Sequence, residues 1–309
     1  MKQKKYLYLI LAMVCLFLLI GCGTQEKAEM AESAEVIYLG DSQSNPETVY
    51  DYSAWGALLK TVVSSAPESA AVIIGGDLIN EETDDQEWNA FVEASDGMFE
   101  QIPLRPVSGN HTEDAARWTE FADTPQNGPA GYERVFYSFD AGPMHFLMLD
   151  SITMGSQDEA VQKTVRDWIR EDLQSTECPW KIAVMHHPLY PLNQTNKDQQ
   201  RAETMQEQYL ETLENGGVRL VLCGHQHVYG RTVPMYHGEI ADALHEKDGM
   251  VEIMGVSGGK FYGTEAKPFI AAYYDAGAVY TLLSAESDVL KINTLDAAGN
   301  QVDSIQLEK

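Results

Sequence analysis

The chain runs to 309 residues, 44% of them hydrophobic, with 12 Pro and 24 Gly, a composition that belongs to a folded globular protein and not to a disordered, collagenous or repeat chain. Lys and Arg number 21 against 47 Asp and Glu, for a formal charge of −26; so acidic a surface repels nucleic acid and anionic lipid, and no nucleic-acid partner is expected. Four Cys in so long a chain are no disulfide framework.

The N-terminus opens on Lys2, Lys4 and Lys5, followed by an unbroken apolar run from Tyr6 to Ile20. That run is too short for a comfortable membrane span and reads as the hydrophobic core of a secretory signal. Leu19-Ile20-Gly21-Cys22 resembles a bacterial lipobox. The resemblance implies a signal segment over residues 1–21, lipidation of Cys22, and a membrane-anchored lipoprotein facing outside the cytoplasm. A plain signal peptide, or an uncleaved anchor that happens to end in Cys, is the other reading. Removing the leader takes away three lysines and no acid, so the exported part is more acidic still. Residues 22–33 are small and polar, as a tether would be, and no linker or repeat splits 34–309, which read as one domain. Cys178 and Cys223 fall at opposite ends of strands expected to be parallel, roughly 15 Å apart, so both are expected as buried free thiols.

Short apolar runs then recur, each stopping at a turn with a metal-capable side chain. Val36–Leu39 ends at Gly40-Asp41, and Ala71–Ile74 at Gly75-Gly76-Asp77. Leu104–Val107 ends at Ser108-Gly109-Asn110-His111. Ile182–Met185 ends at His186-His187-Pro188, and Val218–Cys223 at Gly224-His225-Gln226-His227. Runs of this kind suit strands buried on both faces. Between them, helical spacing marks Tyr50–Ser64, Glu87–Glu100, Glu159–Leu173 and Gln199–Leu213, with Asp84-Asp85 and Asp158-Glu159 supplying acidic starts to the second and third. Arg134–Phe139 and Met144–Leu149 flank a Gly142-Pro143 hairpin turn. Strands without helices follow at Val251–Met254, Ala278–Ser284, Val289–Thr294 and Val302–Leu307. The expected class is α/β, with a mainly parallel sheet from the alternating part and the C-terminal strands finishing a second, mixed or antiparallel sheet. In such sheets ligands bind at the carboxyl ends of the strands, and all five ligand-bearing turns fall there.

Taken singly these turns say little: a Gly-Asp after a strand is usually only a turn, Asn110 suits a left-handed corner, and His186 could be a hydrogen-bonded core residue. Five of the eight His sit in them, however. The order Gly-Asp, Gly-Asp, Gly-Asn-His, His-His-Pro, Gly-His-x-His resembles the calcineurin-like metallophosphoesterase superfamily. Gly224–Arg231 and the ending Gly299–Leu307 look closest to its purple acid phosphatase branch, without the N-terminal sandwich domain of plant members. The resemblance implies an αββα sandwich, two mixed sheets flanked by helices, and two divalent metal ions, Mn, Zn or Fe. Carried over by motif, Asp41, Asp77 and His227 would hold the first metal. Asp77 would bridge to a second held by Asn110, His186 and His225. Such a pair clamps phosphoryl oxygens and lowers the pKa of a bound water, whose hydroxide attacks in line. His111 would be the catalytic group at the leaving oxygen or the phosphate.

Two positions depart from that pattern. Gln43 stands where many members have a His ligand, and Asn80 where purple phosphatases have their Tyr ligand. Either could supply a neutral oxygen to a hard ion such as Mn²⁺, and without a tyrosinate the protein should be colourless. His187 either lines the pocket or packs. Arg231 could bind phosphate or anchor its loop, and Tyr229 reads as structural. Lys260, in Gly255–Gly263, could meet a phosphate, although a solvated loop is the simpler reading. The polar stretch Asn193–Arg201 should shape the entrance. Small phosphomonoesters are the expected substrates; phosphodiesters or nucleotides, or a binding lipoprotein with an impaired site, are the alternatives.

Overall fold

Fifteen strands form two large sheets and one short ribbon among the described residues. A computed structural model of the chain describes residues 31–309 except 113, 114, 119, 121, 194 and 265. The leader, Cys22 and most of the tether therefore lie outside the described residues. Among the described residues no helix is long and apolar enough to cross a membrane.

The first sheet has six strands in the order β15-β14-β13-β1-β2-β3. Here β1 is Ser33–Leu39, β2 Val72–Ile74, β3 Leu104–Pro106, β13 Val279–Glu286, β14 Val289–Asp296 and β15 Gln301–Glu308. Strands β1, β2 and β3 pair in parallel, and β13 joins β1 antiparallel. The second sheet has the order β12-β8-β11-β7-β6-β5-β4. It comprises β4 (Tyr137–Ala141), β5 (Met144–Leu149), β6 (Trp180–Met185), β7 (Val218–Cys223), β8 (Tyr229–Thr232), β11 (Val251–Met254) and β12 (Ile270–Tyr274). Strands β5, β6, β7 and β11 run parallel. The ribbon pairs β9 (Met235–Tyr236) with β10 (Glu239–Ile240).

The αββα architecture expected from the resemblance is thus borne out, while the finer partition differs. The parallel strands divide between two sheets, and β13–β15 extend the sheet of β1 instead of building a separate one. Alternation explains the layering. Val36, Tyr38, Ile73, Leu220, Leu222 and Ile253 point into the space between the sheets with Phe146, Ile182 and Leu283. Their neighbours Ile37, Leu39, Val72 and Ile74 face the helices Ser53–Ser65 and Asp85–Ser95 through Trp55, Leu59, Val62, Trp88 and Phe91. On the other side Leu147, Ala183, Val221 and Cys223 meet the helix Glu159–Ser175 and the segment 196–215 through Val165, Ile169, Met205 and Leu213. Each fully buried aliphatic side chain contributes roughly 1.5–3 kcal/mol. Cys178 and Cys223 are buried and unbridged.

Buried aromatic groups lace the sheets together, each polar tip finding its partner on the facing sheet, as burial of such a tip requires. Tyr38 Oη donates to the Cys223 carbonyl (2.5 Å), Tyr137 Oη to Pro106 (2.6 Å) and Trp180 Nε1 to Glu286 (2.7 Å). At one flank Tyr229 Oη donates to Asp303 Oδ2 (2.8 Å), and Arg231 grips the same carboxylate through Nε and Nη2 (2.5 and 3.2 Å).

Candidate metal centre

The carboxyl ends of β1, β2, β3, β6, β7 and β11 meet along one edge of the sandwich. There the sheets approach so closely that a Cβ on Gly40 would stand 2.1 Å from the Gly255 carbonyl. Asp41 and Val256 form a parallel bridge across the gap. Three of the six residues expected to hold metal come from each sheet: Asp41, Asp77 and Asn110 follow β1, β2 and β3, and His186, His225 and His227 follow β6 and β7.

Asp41, Asp77 and His186 are buried and converge, their ligand atoms all within 4.8 Å of one another; His186, His187 and His225 form a second such group. The bonds around them set which atoms are free. His186 Nδ1 lies 2.9 Å from the Gly75 carbonyl, which can only accept, so Nδ1 carries the proton and Nε2 turns to Asp77 Oδ2 and Asn110 Oδ1, each 3.2 Å away. The His225 N–H donates to Asp41 Oδ2 and the His111 N–H to Asp77 Oδ1, both at 2.8 Å. Asp77 (φ 48°), His225 (φ 70°) and His227 (φ 50°) all adopt left-handed backbone, a cost of about 1 kcal/mol each that recurs at functional sites. His227 lines the pocket but joins neither converging group; its ring meets Tyr262 edge-on at 5.0 Å.

The donor set suits a cation. Asp41 Oδ1 and Gln43 Oε1 are both buried without a hydrogen-bond partner, although an unpaired buried oxygen is costly. Gln43 donates one amide N–H to the Ile79 carbonyl (3.1 Å), which orients the side chain while its oxygen stays without a partner. Asn80 is fastened differently: its amide nitrogen donates to Ser44 Oγ (2.9 Å) and to Glu87 Oε1 (2.8 Å). Its backbone carbonyl holds His111 Nδ1 at 2.7 Å. Without metal the charges settle among themselves. Burial pushes Asp41 up to about 7, aided by the Asp77 charge. Burial would also raise Asp77, but His186 and the His111 N–H outweigh it and hold the carboxyl at about 2. His186 rises to about 9 against burial because two carboxylates face it. Burial lowers His187, His225 and His227, the last to about 3 with Lys260 adding to the effect.

A cavity of about 280 Å³ opens in front of these residues, lined by His111, His187, Asn193, Lys197, Asp198, Lys260 and Tyr262 among others. Several contributors were not expected from the sequence. Asp198 Oδ1 lies 3.0 Å from His225 Nε2. Ser151 Oγ sits 2.9 Å from His187 Nδ1 and accepts the His187 N–H (3.0 Å). The buried Glu252 carboxylate, raised to about 7 by burial, accepts the Leu189 and Tyr190 N–H groups (2.7 and 2.9 Å) and fixes the chain after the His-Pro turn. Gln226 Oε1 takes the Leu192 and Asn193 N–H groups, pinning the entrance stretch. His187 does line the cavity. Arg231 does not: its guanidinium is committed to Asp303 across the sheets, so the anchoring alternative describes it. Lys260 reaches the cavity wall, not open solvent alone.

The family model for calcineurin-like phosphoesterases matches residues 35–229. A purple acid phosphatase of Arabidopsis thaliana is 28% identical over 166 residues, which is 50% of this chain and 35% of that one. A probable cyclic nucleotide phosphodiesterase of Psychrobacter arcticus is 26% identical over 199 residues, 63% of this chain and 70% of that one. Among solved structures, a purple acid phosphatase from yellow lupin seeds superposes with a TM-score of 0.70 at 18% identity, over 90% of this chain and 54% of that chain. The chain thus spans about a third of the length of the first-named relative and about half of the lupin protein.

Proposed function

The chain belongs to the calcineurin-like phosphoesterase family, and from that premise we propose that it hydrolyses phosphate esters, small phosphomonoesters first, at a dinuclear metal centre held by Asp41, Asp77, Asn110, His186, His225 and His227. The observation that carries this reading is the convergence of the buried Asp41, Asp77 and His186, with Asp41 Oδ1 left without a hydrogen-bond partner. Bound there, two divalent cations would supply the positive charge that polarises a phosphoryl group and activates water. The chain's own groups do the rest. Asp77 would offer its carboxylate to both cations. His186 is fixed by Gly75 with Nε2 presented. His111, its Nδ1–H held by the Asn80 backbone carbonyl, presents Nε2, which donates to the ester oxygen when it too carries a proton.

A cavity of about 280 Å³ sits at the low end of ligand-site volumes, which favours small esters over polymers. The amide at 43, the amide at 80 and the lack of a tyrosinate favour a hard, colourless ion such as Mn²⁺ over a ferric centre. The leader and Cys22 support placing the protein outside the cytoplasm, anchored by lipid. Cys22→Ser should release it from the membrane fraction, and retention there would refute the anchor.

The full chain, purified in mild detergent, is assayed on matched phosphate mono- and diesters with Mn²⁺, Zn²⁺ or Fe, with Asp77→Asn as the blank. Metal-dependent turnover absent from the blank is expected, faster on monoesters. A diester preference would move the reading toward the phosphodiesterase relative, and no turnover with any metal would leave a binding lipoprotein.

A further inference from the structure

The loop after β11 takes no part in metal ligation, yet it is built against the metal turns with unusual closeness. The Ser257 and Gly258 N–H groups both donate to the Asp41 carbonyl (3.0 and 2.7 Å), and the Gly259 N–H donates to Gln43 (2.7 Å). Ser257 Oγ accepts the Gly40 N–H (3.0 Å) and donates to the Val279 carbonyl (2.7 Å). A Cβ at Gly258 would stand 2.1 Å from the Gln43 carbonyl oxygen, and one at Gly259 2.8 Å from the Asn45 nitrogen. Only residues without side chains let this loop lie backbone to backbone on the turn that carries Asp41. At its far end the Tyr262 N–H donates to the His227 carbonyl (2.9 Å).

The segment is therefore tied at both ends to turns that carry metal donors, and what it presents to the cavity is Lys260 and Tyr262. Lys260 is half-buried, whereas Lys197, the other Lys or Arg of the described lining, is exposed on the entrance helix. Asp77 and Asp198 face the same space, in a chain of net charge −26. A phosphate arriving there gains from a counter-charge beyond the metals, and Lys260 is the less exposed of the two lysines, on a loop whose backbone is pinned to the metal turns. Tyr262 is 46% exposed, so part of its ring is open to a ligand in the cavity. Its edge contact with His227 sets it beside the metal turn, and Lys260 Nζ lies 5.5 Å from its centroid.

We infer that Lys260 and Tyr262 form a substrate subsite that selects phosphomonoesters of planar aromatic alcohols or nucleosides: the ammonium receives the phosphate oxygens, and the exposed ring stacks on the leaving group. This deepens, and rests on, the phosphoesterase reading above. An ammonium gains most from the dianion of a monoester, and a ring face is a sequence-tolerant platform for any planar group.

The test uses the full chain with its metals, three monoesters (phenyl phosphate, a nucleoside 5′-monophosphate and glycerol 3-phosphate), and inorganic phosphate in equilibrium titration. Tyr262→Leu should raise KM for the two aromatic esters about tenfold and leave glycerol 3-phosphate within twofold, while Tyr262→Phe restores the aromatic preference. Lys260→Met should raise KM for all three and weaken inorganic phosphate binding about tenfold, with metal content and thermal midpoint unchanged. Equal losses on alkyl and aromatic esters in Tyr262→Leu would overturn the stacking role, and unchanged phosphate affinity in Lys260→Met would overturn the clamp. If the unsubstituted protein itself turns over no ester with any metal, the phosphoesterase reading fails and this subsite falls with it.

Discussion

His111 is held by two bonds, neither involving substrate: its N–H to Asp77 and its Nδ1 to the Asn80 carbonyl. Neither bond ties down Nε2, so His111→Ala should lower turnover by about 10²-fold, the scale of one positioned acid or hydrogen-bond donor, with metal content nearly intact by elemental analysis. Loss of both metals in that variant would sink the assignment. A second histidine makes a prediction about stability. His145 on β5 lies between Asp140 (2.6 Å) and Asp172 (2.7 Å), one carboxylate on each nitrogen. Burial alone would lower its pKa, but the two carboxylates raise it from 6.5 to about 9. Its contribution is then complete below about 6.5 and disappears as pH climbs through 9. His145→Gln should lower stability by on the order of 2 kcal/mol at pH 6 and converge with the unsubstituted protein above pH 9.5, as thermal melts across that range would show. At this scale the proposed metal donors were legible as candidates because several of them end apolar runs, where a parallel strand must turn. Ser151, Asp198 and Glu252 were not: each is a single polar residue in an ordinary stretch, and only the tertiary neighbour gives it a task.

Between elements, the start of the entrance helix shows how a local signal is missed. The spacing placed that helix at 199, but Asn196–Met205 begins at a cap in which Thr195 Oγ accepts the Asp198 N–H (3.2 Å) and donates to Asp198 Oδ2 (2.8 Å). A Thr followed three residues later by an acid carries that cap in its sequence. The same acid extends its other oxygen to His225, so helix start and site are joined through one side chain. Strands β8 and β12 were not legible, because Tyr229–Thr232 and Ile270–Tyr274 are short and lean on pairing with each other and with β11. The division of the parallel strands into two sheets was hidden for a related reason: period-two burial is the same whichever neighbour a strand takes. Where the sheets touch, Gly40→Ala places a methyl on the Gly255 backbone, which cannot yield as a side chain would. The variant should lose about 1–3 kcal/mol or more and bind metal more weakly as Asp41 shifts. An unchanged melting midpoint would show that the two turns are not in contact in solution.

For the whole molecule, the family and the four-layer architecture followed from the order of the turns, since a strand-end site on a parallel sheet constrains both at once. The contacts that fasten one sheet to the other could not be anticipated in the same way. Nothing in the chain around Tyr38, Tyr137, Trp180 and Tyr229 says that each polar tip crosses the seam. The six proposed donors for the cations are split three and three across that seam as well. A cation seated among them is then a rivet between two halves that fold from distant parts of the chain. Ion binding adds RT ln(1 + [L]/Kd) to stability, about 2.7 kcal/mol when the free ion stands a hundredfold above its dissociation constant. Chelation should therefore lower the melting midpoint by several degrees in calorimetry, with the midpoint rising again with the logarithm of added metal and no such response in Asp77→Asn. The mineral content of its surroundings would decide how long this protein lasts as well as how fast it works.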